Sequence, residues 1–274
     1  MKPACKLVAL DMDGTLLTSE KTVLPETLED LRFARDAGVS LAYCTGRGLA
    51  ELRSYLPQLP MLRYAICNSG SVVYDCREGR PLLSQDIPAA LCREILSVAA
   101  RFPCMPQFLT ETESIVARRD VTHMADFHMG VYQSMYLEVT RQVDDMIAEG
   151  VRLGDISKIN LYFPDQATRL QAHAALKSLP ISLVLTEQTG LEMTAQSVTK
   201  ASGLQHLAKL LGLSPAETAA VGDGENDREM LMWAGFSAAM GNARPEIQVL
   251  CDFVAPDNDH NGVGTALRQA IFLT

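Results

Sequence analysis

Short, almost unbroken apolar runs alternate along the chain with stretches whose apolar residues recur at helical spacing. Lys6 to Leu10 predicts a strand, Pro25 to Ala37 a helix opened by proline and ended at Gly38, and Val39 to Tyr43 the next strand. The strand-like runs are apolar throughout rather than alternating, as a parallel sheet requires when helices cover both its faces. Tyr64 to Cys67 and Val72 to Asp75 continue the series. The pattern predicts an α/β fold with a Rossmann-like, doubly wound, mostly parallel sheet.

Between about 82 and 190 the rhythm loosens. Helices are predicted near 88–102 and 165–178, with strand-like runs between them. Ser157 to Phe163 alternates polar and apolar residues before its aromatic end, which predicts an antiparallel sheet exposed on one side. From Thr199 the βα rhythm returns: a helix to Leu211, a strand ending at Val221, a helix over Glu225 to Trp233 and a strand at Ser237 to Met240. The expected organisation is a core made of 1–81 and 191–274, with an α+β domain of residues 82–190 inserted into it.

Composition narrows the function classes. The chain has 274 residues, enough for one large domain or two modest ones, and 33 acidic against 24 basic side chains, a net charge of −9. An acidic balance argues against nucleic acid or an anionic membrane surface as partner. The seven cysteines, at 5, 44, 67, 76, 92, 104 and 251, form neither a disulfide framework nor a zinc cluster, which suits a reducing cytoplasm. The first apolar run stops at Asp11, and no run approaches the ~18 residues of a membrane span.

Candidate chemistry gathers where strands end, which is where open parallel sheets bind ligands. The first strand runs straight into Asp11-Met12-Asp13-Gly14-Thr15. Residues two apart on extended chain share a face, so Asp11 and Asp13 converge unless the strand bends, and carboxylates held so close need a cation or a shared proton. The plain alternative is an Asp-Gly turn with a solvated acid. A second acidic cluster, Gly222-Asp223-Gly224-Glu225-Asn226-Asp227, follows another apolar strand. Asp223 and Asp227 there could serve as a hard-cation ligand and its support, while Glu225 reads better as a helix-start residue. Thr45-Gly46-Arg47 lies just past the strand Ser40 to Cys44, and Lys200 opens a helix after a strand-like Leu191 to Thr194. A hydroxyl, N–H groups at a helix start and a lysine can together cradle a phosphate.

In order, these four segments resemble the signature motifs of the haloacid dehalogenase-like superfamily. Asn68-Ser69-Gly70, Met240-Gly241-Asn242-Ala243 and Asp257-Asn258-Asp259-His260-Asn261-Gly262-Val263 extend the likeness to its Cof-type (IIB) phosphatases. One departure is Ala201, where the family usually has glycine after the motif lysine. The resemblance implies a Mg2+-dependent phosphatase acting on small phosphorylated metabolites: sugar phosphates, pyridoxal phosphate, or nucleotide and flavin monophosphates. Asp11 would be the nucleophile that forms an aspartyl-phosphate, and Asp13 the acid and then the base. Asp11, Asp13 and Asp223 would hold the metal, Asp13 by its carbonyl; Thr45, Gly46, Lys200 and Asn226 would bind phosphate, with Asp227, Gly14 and Thr15 in support. The inserted domain would be a substrate-specificity cap on a cytoplasmic monomer or homodimer.

Two other classes remain open on the sequence: a phosphomutase using the same aspartyl chemistry, and a non-catalytic phospholigand-binding protein or receiver-like phosphoacceptor. Within the middle block, His123, Asp126 and His128 lack the usual metal-ligand spacing and read as surface or packing residues. Lys158, Arg118 and Arg119 could meet an anionic substrate, with solvated charge the default reading.

Overall fold

The computed structural model describes residues 5–186 and 188–272. Residues 1–4, 187, 273 and 274, which the expected domain spans include, lie outside them. The described chain forms two compact units: one contains residues up to Gly46, Tyr55–Leu83 and those from Thr199 on, and the other Arg47–Ser54 and Ser84–Val198.

The first unit is built on an eight-stranded sheet. Its order is Phe253–Val254, Phe236–Ala239, Thr218–Gly222, Leu7–Leu10, Ser40–Cys44, Leu62–Cys67, Val72–Asp75 and Arg80–Ser84. The first six are parallel and Val72–Asp75 runs antiparallel to its neighbour, so the sheet is mostly parallel, as the apolar runs predict. Leu7–Leu10 is buried at every position because helices cover both faces. The chain leaves this central strand for Ser40–Cys44 on one side and later supplies Thr218–Gly222 on the other. The crevice at the carboxyl ends of these strands is therefore a topological switch point.

One face of the sheet packs against the helix Lys200–Leu210, whose Ala201, Leu204, Leu207 and Ala208 join Leu7, Ala9, Ala42, Cys44 and Ile66 in one core cluster. The departure at Ala201 thus places a methyl group in the core. The predicted helix over Glu225–Trp233 opens with a 3-10 turn, Glu225–Asp227, and becomes α-helical over Arg228–Trp233.

In the second unit the sheet order is Ile181–Thr186, Gly190–Ala195, Lys158–Tyr162, Met105–Leu109, Ser114–Ala117 and Thr140–Val143, antiparallel except for the last pair. Residues 191–195, placed in the core on the sequence, pair instead in this sheet, with Ile181–Thr186 on one side and, as far as Met193, with Lys158–Tyr162 on the other. Residues 47–54 also group with this unit although they follow a core strand directly. The expected exposed face of Ser157 to Phe163 is not there: every residue of Lys158–Tyr162 is buried. Ile159 and Leu161 pack into a cluster with the helices Ala89–Ala99 and Gln166–Leu176. The opposite face is covered by Val121, Met124, Met129 and Tyr136 and carries a chain of hydrogen bonds: Asn160 donates to Gln107 (2.8 Å), which donates to Glu51 (2.6 Å) and Ser114 (2.8 Å).

Gly203 sets how closely the helix Lys200–Leu210 approaches the sheet. A Cβ there would stand 3.1 Å from the Gly70 Cα and 3.2 Å from its carbonyl oxygen, both backbone atoms that cannot rotate away. Helix propensity favours alanine by about 1 kcal/mol, but overpacking costs about 1–3 kcal/mol. Gly203→Ala is expected to lower the urea midpoint; a midpoint at or above the parent's would show that the contact yields.

Candidate active site

Asp11 follows directly from the central strand, its N–H donating to the Val221 carbonyl (3.0 Å) of the neighbouring one. Extended structure stops there. The N–H of Leu16 turns back to the Asp11 carbonyl (3.2 Å) and that of Leu17 to Met12 (2.9 Å). The chain bends, so Asp11 and Asp13 separate rather than sharing a face. Asp11 is buried, whereas the half-exposed Asp13 accepts from Lys21 Nζ at 2.7 Å. Gly14 makes the bend possible: its φ of +82° is costly for residues with a Cβ, and a Cβ there would overlap the Asp223 carboxylate. Thr15 then donates its hydroxyl to Asp223 Oδ1 at 3.0 Å.

Lys200 enters from the opposite side of the sequence. Thr199 caps its helix, with the Ser202 N–H donating to Thr199 Oγ1 (3.3 Å) and the Thr199 N–H to Ser202 Oγ (3.0 Å). This reciprocal pair fixes Lys200 in the first turn. Its fully buried ammonium donates to Asp11 Oδ1 (2.6 Å) and to Asp227 Oδ1 (2.7 Å). The other oxygen of Asp227 accepts the N–H groups of Asp223 (3.1 Å) and Gly224 (2.9 Å). Asp227 therefore ties the lysine to the turn that carries Asp223.

Oxygens of Asp11, Asp223 and Asp227 all lie within 4.8 Å of one another. Three carboxylates share one ammonium, so two negative charges remain uncompensated when all are ionised. Burial and the Asp227 charge hold Asp11 well above the usual carboxylate range, Lys200 opposing them, and the same two causes raise Asp223. The Lys200 ammonium loses solvation, but Asp11 and Asp227 more than offset that and keep it charged. A hard divalent cation fits this all-oxygen set. Asp11 and Asp223 are the better candidates, since Asp227 already accepts three hydrogen bonds where Asp223 accepts two from Thr15 and Asn242, and the Asp13 side chain lies outside the cluster.

Thr45 is buried one residue past the strand Ser40–Cys44; its N–H donates to Ile66 (2.9 Å) and its carbonyl accepts from Ser69 (3.1 Å). Gly46 follows it, half-exposed. The neighbouring Cys44 thiol points at the Lys200 carbonyl (3.8 Å) and burial pushes its pKa up. Asn226 is exposed, its amide oxygen folded toward Gly224. Glu225 pairs with Arg228, as its helix-start reading suggests. Absent from the sequence-derived site is Asn242, whose amide donates to the Gly14 carbonyl (2.8 Å) and to Asp223 Oδ2 (3.4 Å). The available signal was its position in Met240-Gly241-Asn242-Ala243, just past the end of a core strand.

In the second unit, His123 bonds to Arg119 and Thr122, and His128 to the Pro164 carbonyl, so both serve local structure. Arg118 pairs with the exposed Asp144. Lys158 departs from the solvated default: it is buried and paired with Glu192 at 2.6 Å.

Removing the ammonium leaves the carboxylates facing one another without it. Lys200→Met is expected to cost about 3–5 kcal/mol of stability near neutral pH. Asp11 and Asp223 bind protons more tightly folded than unfolded, so this contribution favours folding at low pH and is lost as pH rises through their raised folded values. The deficit of the variant should thus be smaller at pH 5 than at pH 8 in urea unfolding. A deficit independent of pH would argue against repulsion as its source.

Haloacid dehalogenase-like hydrolases match the chain over residues 8–267. The sequence is 30% identical to an HMP-PP phosphatase of Serratia proteamaculans, over 89% of this chain and 87% of that protein. It is 26% identical to YxeH, a putative phosphatase of Bacillus subtilis, over 97% of this chain and 98% of the relative. A solved haloacid dehalogenase-like hydrolase from B. subtilis superposes with a TM-score of 0.84 at 26% identity, covering 96% of this chain and 99% of that one. With an acidic cluster at the switch point of a mostly parallel sheet, the chain belongs to the haloacid dehalogenase-like hydrolases, as a Cof-type phosphatase acting on phosphoric monoesters.

Proposed function

We propose that the protein hydrolyses small-molecule phosphomonoesters with Mg2+ at the acidic cluster, Asp11 serving as nucleophile through an aspartyl-phosphate. The substrates would be sugar phosphates, pyridoxal phosphate, or nucleotide and flavin monophosphates. The observation that carries this reading is the buried Lys200 ammonium between Asp11 and Asp227. A carboxylate must be ionised to attack phosphorus, and the lysine opposes the burial that would protonate it. Its charge also stabilises the phosphoryl oxygens as they move through a loose transition state.

Asp11 attacks and the ester oxygen leaves, taking a proton from Asp13; Asp13 then accepts a proton from the water that opens the acyl phosphate. The half-exposed place of Asp13 suits exchange with a leaving group and with water, and Lys21 holds its carboxylate in that place. Mg2+, when bound by Asp11, Asp223 and the Asp13 carbonyl, would supply the positive charge the cluster lacks. Thr45, Gly46, Lys200 and Asn226 would hold the transferring phosphoryl group, with Asp227, Gly14 and Thr15 in support. The second unit would act as the cap that selects the leaving group. The HMP-PP phosphatase relative supports a small phosphorylated molecule as substrate.

Purified protein is expected to release phosphate from part of a phosphomonoester panel only with Mg2+ present and without a bisphosphate activator. Asp11→Asn should lower kcat about a thousandfold or more. Turnover near the parent's in a folded Asp11→Asn variant would end the nucleophile assignment, and no release on any substrate would favour a mutase or a phospholigand-binding protein. Because protons compete with the metal for Asp11 and Asp223, Mg2+ should raise Tm more at pH 8 than at pH 5. At a hundredfold excess over Kd the stabilisation is about 2.7 kcal/mol, and Asp223→Asn should abolish it. An equal shift in that variant would place the ion elsewhere.

A further inference from the structure

The loop from Asp11 to Lys21 is gripped by side chains that lie outside the four motif segments. Asn258 Nδ2 donates to the Leu17 carbonyl at 2.9 Å, and the Asn258 N–H donates to Asn242 Oδ1 at 3.2 Å. Asn242 in turn donates to the Gly14 carbonyl at 2.8 Å and to Asp223 at 3.4 Å. Asp259 takes both the N–H (2.8 Å) and the hydroxyl (2.6 Å) of Ser19. Ser19 opens a turn in which the Thr18 N–H donates to Thr22 (2.8 Å) and the Lys21 N–H to Thr18 (2.9 Å), and Lys21, at φ +60°, sends its amine back to Asp13.

Gly14 is half-exposed and Ser19 exposed, so water could serve their peptide groups. Side-chain partners add position there rather than satisfaction. The partners sit just past Phe236–Ala239 and Phe253–Val254, two parallel strands of the sheet whose central strand delivers Asp11. A loop with two proposed reacting carboxylates is thereby tied at Gly14, Leu17 and Ser19 to the ends of rigid elements, the arrangement by which a site keeps its geometry.

We propose that Asn242, Asn258 and Asp259 are positioning residues for phosphoryl transfer. Asn258 and Asp259 fix the turn that presents Lys21 to Asp13, and Asn242 locks the Asp223 carboxylate to the Gly14 carbonyl. This rests on the catalytic assignment of Asp11 and Asp13 above.

The test combines steady-state kinetics with hydrogen exchange on the full chain. Asn258→Ala and Asp259→Ala should lower kcat about 10- to 100-fold, the order expected when reacting groups are displaced by up to an ångström, with KM within about threefold. Asp259→Asn keeps one acceptor for Ser19 and should recover most of kcat. Asn242→Asp keeps the acceptor for Asn258 but loses both donations, and should fall as far as the alanine variants. Amides of residues 12–22 should exchange faster in the alanine variants, with strand 7–10 unchanged. Asp165→Ala, which uncaps Gln166–Leu176 in the other unit, should lower stability without moving kcat. Unchanged exchange in the loop overturns the proposal whatever the activity, as do folded alanine variants with the parent's kcat. A parent that releases no phosphate defeats the catalytic reading itself.

Discussion

A buried ammonium between two carboxylates organises the unit built on the eight-stranded sheet. Lys200 joins Asp11 at the end of the central strand to Asp227 in the turn after Thr218–Gly222, and Asp227 holds the backbone of Asp223 and Gly224. One cation therefore connects three segments far apart in sequence. Coulombic attraction at this depth is large, but so is the cost of drying the charges, so the geometry persists only because each partner has further bonds. The reciprocal Thr199–Ser202 cap supplies them for the helix, and the close approach at Gly203 sets the helix at a fixed distance from the sheet.

The second unit also buries polar groups, here mostly through amides and hydroxyls gathered around one carboxylate. Gln107 connects Glu51 and Ser114 to Asn160 and Tyr162 on one face of its sheet, beneath Met124, Met129 and Tyr136. Glu51 also accepts the N–H of Gly48 at 2.9 Å within its own turn, while its bonds to Gln107 and Ser114 tie residues 47–54 to the sheet of this unit. A polar face at strand spacing usually signals solvent, and here it signals a second buried layer. Lys158 shows the same inversion, since Glu192 replaces the water that a lysine on an exposed strand would have.

Those inversions mark where sequence stops being legible. The apolar strands of the core, the helix opened by Pro25 and the four motif segments are local signals, and the structure places the corresponding elements within a residue or two. The assignment of 191–195 to the core failed because the apolar residues of Gly190–Ala195 suit either sheet, and the pairing with Ile181–Thr186 and Lys158–Tyr162 decides between them. Residues 47–54 illustrate the same limit, since Gln107 and Ser114, the partners of Glu51, lie far along the chain.

Among the acidic residues, spacing alone could not rank the candidates. Asp11 and Asp13 read as a pair, yet the bend at Gly14 buries one beside Lys200 and leaves the other half-exposed beside Lys21. Asp223 and Asp227, four residues apart, read as a hard-cation ligand and its support. Asp227 accepts from Lys200 at one oxygen and from two turn N–H groups at the other, three bonds in all, while Asp223 accepts two, from Thr15 and Asn242. A carboxylate accepts at about four lone-pair sites, so the larger number already committed leaves Asp227 less room for a cation than Asp223. That count depends on partners at Gly14, Thr15 and Asn242, which no local pattern around Asp223 encodes. The division of labour in this cluster is therefore a property of the fold.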